Sequence, residues 1–123
     1  AITLLNYRHV CRLKEWPAPV LRSLNDWNMG PYETMQGPNE FLYTGNMKEW
    51  NRVPDLHKIT APVLITTGQH DELTPACALR MKQQMPQAEL HVFPNSSHMP
   101  FFEEPHAFFP VLLDFLARHR SKV

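Results

Sequence analysis

The sequence has little glycine, no excess charge and no long apolar run. These shortages argue against flexible turns, against anionic partners and against a membrane-spanning helix, respectively. Glycine is 4 of 123 residues against 12 prolines, so the chain turns at rigid corners more than at flexible ones. The 12 Lys and Arg balance the 12 Asp and Glu, which argues against nucleic acid or an anionic membrane as a partner, because phosphate binding favours excess positive charge. The longest apolar run, residues 107–113, contains Pro110 and falls far short of the ~18 residues of a membrane span.

Cysteine is also scarce. Cys11 and Cys77 form no C-x-x-C pair. A disulfide between them is one alternative, but two reduced thiols in a cytoplasmic protein are favoured. No histidine pair has H-x-x-x-H or H-E-x-x-H spacing, so we expect no metal, and nothing in the sequence implies a cofactor. The chain begins mid-pattern, without an initiator methionine or a visible signal peptide, which is typical of a fragment.

The first half of the chain carries short helical patterns separated by proline. We predict a helix over Leu4–Leu13, a second from Pro19 to a stop at Gly30-Pro31, and a third from Pro31 to Gln36. Residues 39–58 are polar and aromatic and show no sustained period.

The second half alternates strands and helices. Strands are predicted over Ala61–Gly68 and Glu89–Phe93, with a helix from the Thr74 N-cap to about Met85 between them. A last helix opens at Pro105, and Pro110 is expected to kink it or to shorten its first turn. Its apolar stripe is Phe108, Val111, Leu112, Phe115 and Leu116.

This order of elements predicts a parallel sheet covered by helices. Two strands are too few for a stable sheet of this kind, and the last helix carries more apolar surface than two strands can bury. We therefore expect the edge of a larger sheet whose other strands lie outside this sequence.

An acid and a histidine follow the two predicted strands. Asp71 comes after the first strand and His98 after the second, at the carboxyl ends where parallel sheets gather catalytic groups. A carboxylate beside an imidazole can orient it as a general base. The alternative from spacing alone is that Asp71 caps the next helix and His98 is an ordinary loop residue.

The motifs around these residues resemble a known fold and family. Ala61–Glu104 is similar to the C-terminal part of the α/β-hydrolase fold, with G-x-x-D-x-x-x-P around the triad acid and S-x-H around the triad histidine. Tyr32–Phe41, which contains Gly-Pro-Asn-Glu-Phe, and Gly45–Trp50 resemble the proline iminopeptidase family. Arg8–Leu13 with Trp16-Pro17 is similar to a helix of that family's cap.

The resemblance implies an α/β fold in which residues 51–123 form the C-terminal part of the hydrolase core, a parallel sheet edge with flanking helices. Residues 1–50 would be part of a helical cap, or lid. Asp71 and His98 would then be the triad acid and base of a serine hydrolase that releases an N-terminal residue, with proline expected, from peptides through an acyl-enzyme.

The same resemblance places family glutamates that hold the substrate's free amine on Glu40 and Glu72. Two carboxylates at close range suit a cationic amine. The ordinary alternatives are a solvated loop charge for Glu40 and an acidic residue near a helix N-terminus for Glu72. Tyr32 matches a weaker family position, either as a wall for the proline ring or as a packing residue.

The sequence departs from the family in its nucleophile. It contains no G-x-S-x-G, and none of its serines, Ser23, Ser96, Ser97 and Ser121, lies between glycines. We expect the chain to be inactive alone and to be completed by a missing N-terminal half or by self-association. The substrate would be a peptide or amino-acid amide with a free N-terminal amine. The alternatives are another capped hydrolase, such as an esterase, amino-acid amidase or epoxide hydrolase, or a catalytically inactive fragment or interaction module.

Overall fold

The computed structural model describes residues 2–120, which form two units. The first unit takes residues 3–14 and 53–120, and the second takes residues 15–52 together with Ile2. The second unit contains helices α2 (Ala18–Asn25) and α3 (Met29–Met35). The assignment of residues 1–50 to a cap stays a prediction.

The first unit is built around a parallel pair of strands. It contains, in chain order, α1 (Ile2–His9), a 3₁₀ helix (Val53–Lys58), β1 (Leu64–Gly68), α4 (Pro75–Gln84), β2 (Glu89–Phe93), α5 (Pro100–Glu103) and α6 (Pro105–Arg118). The strands pair in register, with Leu64 opposite Glu89 and Gly68 opposite Phe93. The predicted strand–helix–strand order and the parallel pairing are confirmed.

Residues of α4 and α6 contact opposite faces of this pair. On one face, Ile65 packs with Ala78 and Met85 of the α4 region in a buried cluster that Leu90 of β2 joins. Side chains alternate between faces along a strand, so Phe93 points to the other face, where its ring lies 5.5 Å from that of Phe108 in α6. The ring of Phe108 in α6 therefore lies on the face of the sheet opposite α4.

Several predicted boundaries are wrong in the first half of the chain. α1 ends at His9 rather than Leu13, and α2 ends at Asn25, well before Gly30-Pro31. That dipeptide instead lies in the first turn of α3, where proline is tolerated because its missing N–H has no helical partner to lose.

The second half needs smaller corrections. β1 begins at Leu64 rather than Ala61, after Pro62, which has no N–H to donate to a strand partner. Thr74 precedes α4 as predicted, but its side chain makes no capping hydrogen bond. α6 opens at Pro105 and continues past Pro110 to Arg118, so Pro110 does not end the helix, and whether it kinks the helix stays a prediction. The 3₁₀ helix and α5 are not predicted from the sequence.

Within residues 2–120, none of the helices has both the length and the apolar character needed to cross a bilayer.

Candidate active site

The loops that follow β1 and β2 are joined to one another by backbone hydrogen bonds. The N–H of Gln69 donates to the carbonyl of Phe93 at 2.8 Å, and the N–H of His70 donates to the carbonyl of Ser96 at 3.0 Å. Gly68 permits this approach, because a Cβ there would lie 2.2 Å from the carbonyl oxygen of Ser97. The two loops are thus held together at one end of the sheet.

Asp71 is a buried carboxylate with fixed orientation, and its residue is 8% exposed. Its Oδ1 accepts the backbone N–H of Leu73 at 2.9 Å, and its Oδ2 lies 3.5 Å from the hydroxyl of Thr67. Its own N–H donates to the carbonyl of Gly68 at 3.2 Å. The Leu73 N–H thus orients the carboxylate from within the loop, while the Thr67 hydroxyl lies beside it and closer to the carbonyl of Gly68, at 3.2 Å.

His98 lies beside this carboxylate. Its Nδ1 is 3.1 Å from Asp71 Oδ1, so in the neutral ring an Nδ1 proton is donated to Asp71 and the basic lone pair lies on Nε2. The His98 side chain is 41% exposed, against 8% for Asp71. This arrangement, with a buried acid behind an accessible imidazole, is the geometry of a general base oriented by a carboxylate. The structure brings together the two residues that the sequence places after the two strands.

The pair opens onto a largely apolar cleft of about 520 Å³ in the first unit. Leu73, Met81, Phe101 and Phe108 are among the residues that line it, together with Asp71 and His98. Apolar walls strengthen the electrostatic interaction of the pair, because they lower the local dielectric constant.

The hydroxyls of the three described serines donate to other groups of the chain. Ser96 and Ser97 are both fully buried, and their hydroxyls donate to Glu104 and Glu103 respectively. The hydroxyl of Ser23 donates to the carbonyl of Val20 within α2 at 2.8 Å. Ser121 lies outside the described residues. The contact that the structure describes at this site joins an acid to a histidine.

Glu72 follows Asp71 in the same loop and is partly buried. Its N–H donates to the carbonyl of His9, at the end of α1, at 3.3 Å. In the same region His9 Nδ1 lies 2.9 Å from the carbonyl of His70. Helix α1 therefore supports the loop that carries both acidic residues.

Tyr32 and Glu40 belong to the second unit. The Tyr32 ring lies 4.5 Å from that of Trp27, which fits a packing role. Glu40 is partly buried in a turn, where its carbonyl accepts Gln36 Nε2 at 3.4 Å. The turn begins at Gly37, whose φ of 137° favours glycine. A shared role of Glu40, Glu72 and Tyr32 in substrate binding stays a prediction.

Sequence reasoning missed two carboxylates that hold the His98 loop, Glu103 and Glu104. Glu103 accepts hydrogen bonds from the backbone of Ser97 and Met99, and Glu104 accepts them from Asn95 and Ser96. Burial acts to raise the pKa of Glu104, but the hydrogen bonds from Ser96 and Asn95 outweigh it, so this pKa lies below its usual value. The signal in the sequence was weak: two adjacent acidic residues shortly after Pro100.

A family model described as "Alpha/beta hydrolase family" matches residues 5–111. Among curated relatives, the proline iminopeptidase of Saccharolobus solfataricus is 38% identical over 117 residues, which is 94% of this chain and 38% of that protein. The proline iminopeptidase of Thermoplasma volcanium is 32% identical over 120 residues, which is 97% of this chain and 41% of that protein. The chain therefore spans about two fifths of the length of these relatives.

Two solved structures are similar over nearly the whole chain. The crystal structure of VinJ has a TM-score of 0.90 at 35% identity, with 96% of this chain and 40% of that chain covered. The crystal structure of the proline iminopeptidase of Mycobacterium smegmatis has a TM-score of 0.87 at 37% identity, with 95% and 40% covered. The resemblance to proline iminopeptidases is thus confirmed in sequence and in structure.

Proposed function

Because the chain belongs to the alpha/beta hydrolase family, we propose that it supplies the acid and the base of a serine hydrolase that releases N-terminal proline from peptides. The observation that carries this proposal is the 3.1 Å contact between His98 Nδ1 and the buried Asp71, at the ends of two parallel strands. The similarity to proline iminopeptidases supports the choice of substrate.

The serine would come from a segment outside these 123 residues, since the sequence contains no G-x-S-x-G. His98 Nε2 takes the proton of the serine hydroxyl as the oxygen attacks the carbonyl of the N-terminal residue. The proton then passes to the leaving amine as the peptide bond breaks, and an acyl-enzyme forms. Water, deprotonated by His98, attacks the acyl-enzyme, and the proton returns from His98 to the serine oxygen as the ester bond breaks. Asp71 holds the tautomer and stabilises the imidazolium throughout.

Recognition of the substrate amine would fall to Glu40 and Glu72. A protonated amine needs anionic acceptors in a partly dry pocket, and both side chains belong to partly buried residues. Holding the free amine would restrict cleavage to the first residue. Tyr32 would either wall the pocket or pack against Trp27.

The surface of α6 supports the need for a further segment. Phe109 is 46% exposed, Leu113 is 61% exposed and Leu116 is 53% exposed, and the three lie on one side of the helix at i, i+4 and i+7. An apolar face of this kind is typical of a surface that another segment covers. We expect the N-terminal half of the hydrolase to cover it, with a second copy of the chain as the alternative.

A cytoplasmic location forms part of the same proposal. Neither Cys11 nor Cys77 is in a disulfide within the part of the chain that the structure describes, and burial raises the pKa of the Cys11 thiol, which keeps it protonated. Reduced thiols are usual in that compartment.

The test is hydrolysis of prolyl p-nitroanilide and of its N-acetylated form by the complete enzyme, meaning this chain together with the segment that carries the serine. We expect turnover of the free-amine substrate only, and a loss of at least about 10³-fold in kcat for His98→Gln. The 123-residue chain alone should be inactive.

Equal hydrolysis of both substrates would favour an esterase or amidase. No hydrolysis of either would favour an inactive interaction module.

A further inference from the structure

We infer that Glu103 is a positioning residue for His98, holding both peptide N–H groups that flank the histidine; this role rests on the proposed function. Glu103 closes α5, the short helix that follows the His98 loop. One of its oxygens, Oε2, accepts the N–H of Ser97 at 2.9 Å and the N–H of Met99 at 3.0 Å. The residue between these two donors is His98.

The second oxygen of Glu103 is equally occupied. Oε1 accepts the hydroxyl of Ser97 at 2.8 Å and the backbone N–H of Arg12, beyond α1, at 2.7 Å. Four donors from two separate parts of the chain thus converge on one carboxylate. A carboxylate suits this place because it only accepts hydrogen bonds and has about four lone-pair directions for them.

The effect on His98 follows from its neighbours. Ser97 is fully buried, and its carbonyl lies where a Cβ on Gly68 would touch it, so the segment before His98 is fixed against β1. With the N–H groups on both sides also held, the His98 backbone is set relative to the Asp71 loop. The imidazole can then reach Asp71 Oδ1 without a search among loop conformations.

Glu104 provides a matched comparison. It also accepts hydrogen bonds from this loop, but farther from the histidine: the N–H of Asn95 at 3.0 Å, the side-chain amide of Asn95 at 3.1 Å and the hydroxyl of Ser96. The neighbouring carboxylates therefore divide the loop, with Glu104 holding its beginning and Glu103 holding the histidine.

The variants are Glu103→Gln and Glu104→Gln in the complete enzyme. In Glu103→Gln, one carboxylate oxygen is replaced by an NH₂ group, which donates hydrogen bonds and cannot accept them. In either orientation of the amide, the NH₂ faces donors of the loop or of Arg12, so the amide oxygen can accept from only one of the two pairs of donors. We expect Glu103→Gln to lower kcat for prolyl p-nitroanilide about 10- to 100-fold, with KM within about threefold of the parent value. Glu104→Gln should keep kcat within about threefold of the parent value. Its thermal stability should fall by about as much as that of Glu103→Gln.

A second readout does not depend on turnover. The Nδ1 proton of His98, held by Asp71, should give a downfield ¹H NMR signal in the parent and in Glu104→Gln, and this signal should weaken or vanish in Glu103→Gln. If the parent shows the signal but does not cleave the anilide, the proposed substrate is wrong. The comparison of the Nδ1 signal between the two variants then still tests the positioning role of Glu103.

Full kcat and an unchanged Nδ1 signal in Glu103→Gln would overturn the inference, and so would equal kcat losses in both variants. If Glu103→Gln does not fold, amide exchange in the parent decides. The N–H groups of Ser97 and Met99 should exchange at least about tenfold more slowly than unprotected amides, and free exchange at both would refute the role.

Discussion

Replacement of Gly68 by alanine should damage the fold at the point where the two loops of the site meet. The added Cβ would lie 2.2 Å from the carbonyl oxygen of Ser97, and 2.3 Å and 2.4 Å from the carbonyl oxygen and carbon of Ser96. All three atoms belong to the backbone, so no side-chain rotation can clear them. Because Glu103 and Glu104 hold the same loop, it cannot easily move away.

The expected magnitude follows from this geometry. Overpacking of a well-packed region costs about 1–3 kcal/mol, and a contact with immobile backbone belongs at the upper end of that range. With a urea m-value of about 1.5 kcal/mol/M, a loss of about 3 kcal/mol lowers the unfolding midpoint by roughly 2 M.

The matched control is Gly30→Ala in α3. A Cβ at Gly30 meets only Asn28 Oδ1, at 3.7 Å, which is an ordinary contact. Alanine there should stabilise the protein by about 0.4–1 kcal/mol, because it lowers the entropy of the unfolded chain and favours helix. The assay is urea unfolding followed by far-UV circular dichroism. Equal midpoints for Gly68→Ala and the parent would refute the proposed close approach of the loops.

Three further predictions concern charged residues. Glu40→Gln and Glu72→Gln in the complete enzyme should each lower kcat/KM for prolyl p-nitroanilide roughly 10- to 150-fold, because each loses a charge-assisted contact of ~1.5–3 kcal/mol. A kcat/KM equal to the parent value in both variants would contradict amine binding by these residues. The pKa of Glu104 is lowered in the folded state, so the ionised carboxylate stabilises the fold. This stabilisation is complete above the unfolded pKa of roughly 4.3 and is lost as the pH falls through the folded pKa. Glu104→Gln should therefore lower Tm at pH 7, with a gap to the parent that closes below about pH 4, and a constant gap would contradict this assignment. Arg118 bonds both oxygens of Glu89 at 2.7 Å on the surface, so Arg118→Gln should lower Tm slightly, and more at low salt than at high salt.

Much of the first unit could be predicted from the sequence, because its signals are local. Glu89–Phe93 is a strand as predicted, and Pro105 opens the last helix as its position suggests. The predicted fold class, the C-terminal part of an α/β-hydrolase, is confirmed by the family match over residues 5–111 and by the structural similarity. The contact of Asp71 with His98 follows from one rule, that neighbouring parallel strands end at the same edge.

The rest depends on contacts between residues distant in sequence. Gly68 reads as a strand end, and only the structure shows that it makes room for the carbonyls of Ser96 and Ser97. Glu103 looks like a surface charge, and its role depends on the fold bringing Arg12 and Met99 to the same carboxylate.

One predicted helix boundary in the first half of the chain is wrong for a local reason. The Gly30-Pro31 pair predicts a helix stop, but it lies in the first turn of α3, where proline is tolerated. Only the family resemblance points to Glu40 and Tyr32, so their roles in substrate binding remain predictions.

The central claim is that Asp71 orients His98 for catalysis, and the most direct test is the kcat of the complete enzyme with Asp71→Asn on prolyl p-nitroanilide. An asparagine keeps the shape of the side chain but can offer its NH₂ to Nδ1, which would favour the wrong imidazole tautomer. The account predicts a loss of about 10⁴-fold in kcat with little change in KM, the size of effect known for this substitution in serine proteases. A variant that folds normally and retains the parent kcat would contradict the claim.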